Sequence, residues 1–412
     1  MRLITVSFLV ILLSTVSSGQ TAFGDLLSDY NNDPQVITTA VPFLVITPDS
    51  RAGAMGESGV ATTPDVYSLH WNVSKLAFLE DNSGFSISYT PWLGKLVPDI
   101  SLAYLTGYSK INDNSAWSAA LRYFSLGNIT FTDENATELG TYDPNEYAFD
   151  LGYGMKFNDN LSGGIAMRYI YSNLTGGQNI AGYSTEAGRS FAVDLSTYYQ
   201  SELNDNGEWA VGLNLSNIGT KISYTGSDEK DFIPMNLRVG GRYSMDIDDY
   251  NNFSVSFDIN KLLVPTTPLY AVNEDGQPID INGNIVQEGS PEHHIAAGKD
   301  PNVSVVSAIF QSFGDAPGGI SEEWRELMYS LGFEYWYNNQ FAFRGGYFHE
   351  HERKGNRKYF TLGAGLKMNV FALDFAYLIT ASQEVQSPLE STMRFSLVFD
   401  IGAFRGGSNE EL

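Results

Sequence analysis

EYAFDLGYGMKF, residues 146–157, changes character at every step. Tyr147, Phe149, Leu151, Tyr153 and Met155 fall on one side of an extended chain. Ala148, Asp150, Gly152, Gly154 and Lys156 fall on the other. After the link NDN (158–160), LSGGIAMRYIYS (161–172) repeats the pattern, with Ile165, Met167, Tyr169 and Tyr171 against Gly164, Ala166 and Arg168. Successive side chains of a strand point to opposite faces, so a period of two marks strands whose faces meet different surroundings. An Asn/Asp link of this length suits a tight hairpin turn.

Working outward, the same alternation recurs in fourteen segments: 85–90, 99–107, 115–124, 146–157, 161–172, 189–200, 209–217, 235–247, 253–261, 326–336, 341–349, 358–366, 371–380 and 392–401. Their connections sort into two classes. Residues 108–114, 158–160, 201–208, 248–252, 337–340 and 367–370 form a short set. The alternate connections are 91–98, 125–145, 173–188, 218–234, 262–325, 350–356 and 381–391, and most are longer. Bacterial barrels have even strand counts, short periplasmic turns and long outer loops, and both chain ends here fall on the short-turn side. A soluble sandwich has no reason to sort its loops so. The expected fold is all-β: a fourteen-stranded transmembrane antiparallel β-barrel over 84–401, with an N-terminal plug and a long loop insertion containing short helices.

Composition agrees. Aromatic residues make up 13 % of the chain, with 24 Tyr, 25 Phe and 40 Gly, as suits a wall that meets lipid only at every second residue. Residues 1–19 read as a Sec signal peptide: Arg2 precedes an apolar run too short to span a bilayer, and Ser17, Ser18 and Gly19 supply a cleavage site before Gln20. No later run is apolar enough for a spanning helix. With no cysteine, lipid attachment at a thiol, disulfides and thiolate metal sites are excluded. A net charge of −24 argues against nucleic acid, whose affinity rests on Lys and Arg. It fits acidic loops that keep a surface solvated, or a basic partner. The expected location is the outer membrane, with outer-membrane lipid around the wall.

If Tyr, Phe, Leu, Ile, Val and Met face lipid, the other face carries Gly, Ala, Ser and charges: Asp150, Arg168, Asp194, Arg238, Asp258, Glu334, Arg344, Asp374 and Arg394. A charge facing lipid would cost ~2–4 kcal/mol at midplane, so these point inward. Their signs largely alternate between strands, which suits a lumen ion-pair network; a selective polar pore is the other reading. Residues 20–83 show no alternation and are long enough to fill the lumen as a plug. Within them PDSRAGAMGESGVA (48–61) has closely spaced small residues that let backbones approach, and Arg51 could dock onto a lumen carboxylate. It is not a phosphate loop, since no Gly-Lys-Ser/Thr follows. Arg51, Gly53, Met55, Gly56, Gly59 and Asn72 are the candidate plug residues, either tightly packed or part of a moving gate. In the insertion 262–325, helix starts are expected at Asp300-Pro301 and at Ser321 with Glu322 and Glu323. Residues 402–412 form a polar tail.

Apolar residues where water is expected, Trp92, Leu93, Leu262, Leu263, Val264, Phe310 and Phe313, either fold against their own barrel or mark a protein contact. The histidines (70, 293, 294, 349, 351) lack a completing ligand set, and no nucleophile elbow or orderable triad occurs. No cofactor, metal or catalytic role is expected.

At a second level the chain resembles a known family. RAGAMGESGVA (51–61), LHWN (69–72) and KLAF (75–78) look like the opening of the PorV family, relatives of the long-chain fatty-acid transporter FadL. Similar stretches continue through YTPWL (89–93), LRYFSLG (121–127), DINKLLVP (258–265), QSFGDAPGG (311–319), EYWYNNQ (334–340), GNRKYFTLGAGL (355–366) and RFSL (394–397), so that the resemblance extends over nearly the whole mature chain. Asn72-Val73-Ser74 departs from the Asn-Pro-Ala of many relatives, a change expected to loosen a plug turn. The resemblance implies a plugged fourteen-stranded barrel that associates with the large type IX translocon barrel (SprA/Sov-type). It further implies binding of cargo C-terminal signal domains and delivery to a surface attachment complex with a PorU-type sortase. Two alternatives stay open: a FadL-like channel for hydrophobic small molecules, and the lipopolysaccharide deacylation reported for the family, for which these residues offer no catalytic set.

Overall fold

The computed structural model describes residues 30, 34–93, 99–132, 138–177, 179–180, 183–204, 206–225, 230–381, 389–390 and 392–401. The expected signal peptide 1–19, the plug residues 20–29 and the tail 402–412 lie outside the described residues. Two compact units emerge, one of residues 39–262, 327–350 and 356–412, the other of 1–38, 263–326 and 351–355.

The larger unit is a closed barrel of fourteen strands. They are β1 Ser83–Pro91, β2 Ile100–Asn112, β3 Ser115–Leu126, β4 Asn145–Lys156, β5 Leu161–Asn173, β6 Gly188–Asn204 and β7 Gly207–Gly219. Then come β8 Asn236–Asp248, β9 Asn251–Leu262, β10 Met328–Tyr337, β11 Phe341–His349, β12 Lys358–Lys367, β13 Phe371–Thr380 and β14 Met393–Asp400. Every neighbour is antiparallel, and β1 pairs with β14 from Gly84↔Asp400 to Tyr89↔Phe395. Closure leaves no unpaired edge, the condition for a sheet to cross hydrocarbon. No helix among the described residues is long and apolar enough to cross a membrane. Crossing is by strands.

Burial follows the alternation. On β4, Ala148 and Asp150 are buried, while Phe149, Leu151, Tyr153 and Met155 are exposed to what a bilayer would supply. One expectation needs correcting, because large apolar side chains do not all face lipid. Leu102, Phe124, Ile170, Phe348, Tyr359 and Leu378 point inward toward the long-loop end and are buried. There they meet plug and loop residues rather than water. Val41, Phe43 and Leu44 fill one such cluster, and Trp92, Leu93 and Leu262 pack against another.

The plug within this unit begins at Thr39, so residues 34–38 belong elsewhere. It contains a 3₁₀ turn Pro42–Val45, helix α1 Ser50–Gly53, helix α2 Ser68–Trp71 and a second 3₁₀ turn Val73–Phe78. Asp49 caps α1 by accepting from the Ala52 amide at 2.8 Å. Trp71, Leu76, Val60 and Ala61 are essentially inaccessible.

The smaller unit holds the insertion between β9 and β10. It carries helices α3 Val305–Gln311 and α4 Ile320–Arg325 and a two-stranded ribbon of Leu269–Tyr270 with Ile295–Ala297. Its helix starts differ from expectation. Ser304, not Asp300, caps α3 by accepting from the Ser307 amide, since Asp300 turns to the Asn302 amide instead. Gly319, at φ +69°, opens α4. The boundary also moves, because Leu262 completes β9.

Candidate functional site

The plug is tied to the wall by side chains from both. Arg51 leaves α1 and donates two parallel hydrogen bonds to the Glu334 carboxylate on β10, both 3.0 Å. Its other nitrogen reaches Asp65 of the plug at 2.8 Å. Asp258 on β9 accepts from the amides of Gly59 (2.7 Å) and Val60 (3.0 Å). Thr361 on β12 accepts from the Gly56 amide and donates to the Ala54 carbonyl, both 2.8 Å. Asn72 donates to the carbonyls of Val60 and of Thr197 on β6, both 3.0 Å.

Two glycines are required by this closeness. Gly56 has φ +62°, and a Cβ there would lie 2.5 Å from the Tyr347 carbonyl oxygen of β11. Gly59 lies on the Trp71 ring, where a Cβ would sit 2.2 Å from the indole. Gly53 faces Arg394, and Met55 is buried beside Gly332 and Gly346 of the wall. At the turn Asn72-Val73-Ser74 the Asn72 side chain accepts from the Ser74 amide, and Val73 packs where Gly152 and Gly164 leave room.

The nine inward charges divide by partner. Arg168 sits between Asp150 (2.6 Å) and Asp194 (3.2 Å), joining β4, β5 and β6. Arg344 joins Asp374 (2.5 Å) and Glu334 (3.6 Å) across β10, β11 and β13. The remaining three serve the plug. Arg238 lies over the Trp71 ring, 4.4 Å from its centroid, Asp258 takes the two amides above, and Arg394 reaches Glu57 at 3.3 Å. A single strand-to-strand network is therefore too simple, because four of the nine, Glu334 through Arg51 among them, reach the plug.

Sequence reasoning assigned no plug contact to several charged or titratable residues, Arg122, Asp49, His70 and Lys75 among them. Arg122 of β3 is fully buried, donates to the carbonyls of Phe43 (3.3 Å) and Leu44 (2.5 Å), and meets His70 Nδ1 at 2.6 Å. Its inward position two residues from Ala120 was the available signal. Asp49, His70 and Lys75 lie in the plug, where no period marks them. Asp49 also accepts from Trp71 Nε1 at 2.7 Å, and burial pushes its carboxyl up to about 6. Burial draws the Lys75 ammonium down to about 8 while it donates to the Gly59 carbonyl and Thr62 hydroxyl, each at 2.9 Å. Such an interior binds chain to chain. Among the described residues no group of His, Cys, Asp and Glu could hold a metal.

The candidate contact residues separate sharply. Leu263 and Val264 are 1 % and 2 % exposed, so they are corrected from surface anchors to interior residues. Trp92, Leu93 and Leu262 are half-buried on the inward cluster of the barrel, which satisfies their apolar surface internally. Phe310 and Phe313 are 75 % and 54 % exposed. They share the smaller unit with exposed Val306 on α3, part of the same helical spacing in the sequence, and with Ile320 and Trp324 on α4, two residues that sequence reasoning did not single out.

Helix α4 is braced. Lys354 donates to Glu322 (2.5 Å) and Glu326 (3.1 Å) at α4, and Thr266 donates to the same Glu326 oxygen at 2.7 Å. Glu323 accepts from the amides of Asp315 and Ala316, and the far oxygen of Glu322 accepts from Gly318. Val306 and Phe310 on α3, Phe313 just past its end, and Ile320 and Trp324 on α4 thus stand exposed, while the carboxylates of Glu322, Glu323 and Glu326 are engaged.

Compared with known proteins, residues 29–269 match the profile of a family described as "Type IX secretion system protein PorV". Among curated proteins nothing matches. Similar solved structures include the Pseudomonas putida toluene transporter TodX, at 10 % identity over 85 % of this chain and 96 % of that one, with TM-score 0.49. The Ralstonia pickettii toluene transporter TbuX shows 11 % identity, 85 % and 97 % coverage, and TM-score 0.45. A Pseudomonas aeruginosa FadL homologue shows 11 % identity, 89 % and 99 % coverage, and TM-score 0.43.

Proposed function

Because the chain belongs to the PorV family of the type IX secretion system, we propose that this outer-membrane barrel is a non-enzymatic docking and shuttle component. It receives cargo carrying the C-terminal secretion signal at the translocon barrel and passes it to the attachment complex with its sortase. The observation that carries this reading is the exposure of Val306, Phe310, Phe313, Ile320 and Trp324 within one compact unit whose helix α4 is tied down by buried ion pairs. Exposed apolar groups held in place by buried ion pairs are what a protein contact uses as anchors, because little side-chain order has to be bought on binding.

The lumen supports the same view from the other side. Its apolar clusters are filled by the chain's own Val41, Phe43 and Leu44, and its polar middle is occupied by the plug. A channel for hydrophobic small molecules wants those positions for its ligand. The proposed role also asks no chemical step of this chain.

The test is a chromosomal Phe310→Asp, Trp324→Asp double variant in the native host. We expect the barrel to fold and insert, signal-bearing cargo to accumulate inside the envelope, and co-purification of the translocon barrel or cargo to fall away. Normal cargo release with unchanged co-purification would overturn the proposal.

A further inference from the structure

The membrane-facing wall has a notch. Register aligns Phe85 of β1 with Gly107 of β2, Gly107 with Ala119 of β3, and Ala119 with Leu151 of β4. Two neighbouring positions in this outward row therefore carry nothing larger than a methyl. The row on one side is fuller, and on the other Trp117 fills the β3 position beside Ser109 of β2. Leu105 stands opposite Leu121 and Leu121 opposite Phe149, while Trp117 stands opposite Tyr153. Neighbouring strands run about 4.8 Å apart, so two empty positions side by side open a gap well wider than one hydrocarbon chain.

The resulting hollow has a volume of about 430 Å³, inside the ~300–1,000 Å³ span of small-molecule sites. Phe85, Leu105, Trp117, Leu121, Phe149 and Ile401 line it. Its floor is strand backbone already paired in the β1–β2 and β2–β3 ladders, so it offers no free polar group to a ligand. It is continuous with exposed Ile87, Leu105, Leu121 and Phe149, the surface that the bilayer covers. Gly84 is the second residue of β1 and Ile401 follows β14, which puts the notch in the half of the wall nearest the short turns. Short turns are periplasmic in such barrels.

We propose that the Gly107–Ala119 notch seats one acyl chain of a phospholipid from the periplasmic leaflet. Location dictates the occupant: the notch opens only onto hydrocarbon, and an unbranched chain is the apolar shape present there. Aromatic walls on several sides give a seated chain more close contacts than it has among fluid neighbours, the dispersion gain that holds a lipid in place. This site does not depend on the secretion role proposed above.

The experiment uses full-length protein extracted from its native membrane in mild detergent, with bound lipid read by native mass spectrometry. Ala119→Leu fills the notch with a side chain suited to the lipid face. Wild type should retain a phospholipid through washing that Ala119→Leu loses. In vesicles of phosphatidylethanolamine brominated on its acyl chains, the Trp117 contribution, taken by difference from Trp117→Phe, should be quenched more strongly than that of Trp209 elsewhere on the wall. In Ala119→Leu that excess should vanish. Unchanged heat-modified gel mobility establishes folding; should Ala119→Leu misfold, Gly107→Ala adds one methyl to the same floor and carries the comparison. Equal lipid retention by wild type and a folded filled variant overturns the proposal. So does loss of a bound polypeptide instead of a lipid.

Discussion

Arg51 and Glu334 meet across the lumen through two parallel hydrogen bonds, with Glu334 buried and Arg51 largely so. Removing one member of a buried pair leaves the other uncompensated, at about 3–5 kcal/mol, whereas replacing both with apolar groups costs far less. Arg51→Met should therefore lower the thermal transition of the folded barrel markedly. Arg51→Met with Glu334→Met should recover much of that loss, less what Arg344 and Trp336 give up at Glu334. Additive losses in such a cycle would show that the pair is not coupled. At this scale the sequence was partly legible. Arg51 stood out among small residues, and its docking onto a carboxylate could be anticipated, but which carboxylate could not. The plug has no periodicity to say which residue faces which strand, and so no contact was assigned to Asp49, His70 or Lys75.

Strands were the most legible elements, for a physical reason. Lipid on one side and packed protein on the other impose period two wherever the chain crosses the membrane. The segments 341–349 and 371–380 coincide with β11 and β13. Where a strand runs past the bilayer the constraint lapses, and boundaries were lost. β2 continues through Lys110, Ile111 and Asn112, and β6 through Ser201 and Glu202, with no alternation to announce them. The outer-loop ribbon of Ile129–Thr132 with Glu138–Tyr142 was unseen for the same reason. Helices α3 and α4 were anticipated, their caps were not, because a local Asp-Pro signal lost to Ser304. What holds α4 in place is long-range: Lys354, far along the chain, supplies the cation for Glu322 and Glu326. Lys354→Met should leave the barrel intact but loosen the insertion. Limited proteolysis should then cut within 263–326 faster than in wild type. Equal cutting rates would mean that the remaining hydrogen bonds suffice.

For the larger unit as a whole, the plug is the difference between a wall and a pore. A lumen lined by Ser, Gly and charges would hold water once its filling were gone. Deleting residues 39–79 should give a barrel that conducts ions in planar bilayers and sensitises cells to large polar antibiotics, while wild type stays silent. A deletion variant that folds, by gel mobility, yet carries no current would refute the sealing role. The strand count and the two loop classes were readable from sequence. The division into two units was not, since residues 34–38, the insertion and 351–355 come together only through contacts distant in sequence.

The joint between β1 and β14 also sets an order of assembly. Gly84 waits for Asp400, and Ser50 in the plug for Ser396, whose hydroxyl accepts its amide at 2.9 Å. Arg51 and Gly56 likewise wait for Glu334 and Thr361. The part of the chain made first is thus the last to find its partners. Contacts so remote in sequence are slow to form, because the chain gives up its freedom before they reward it. Until the C-terminal strands arrive, the early segment has nothing to bind. A nascent chain stalled short of residue 392 would carry its filling untethered and its first strand with an open edge, a species for chaperones to guard or proteases to remove.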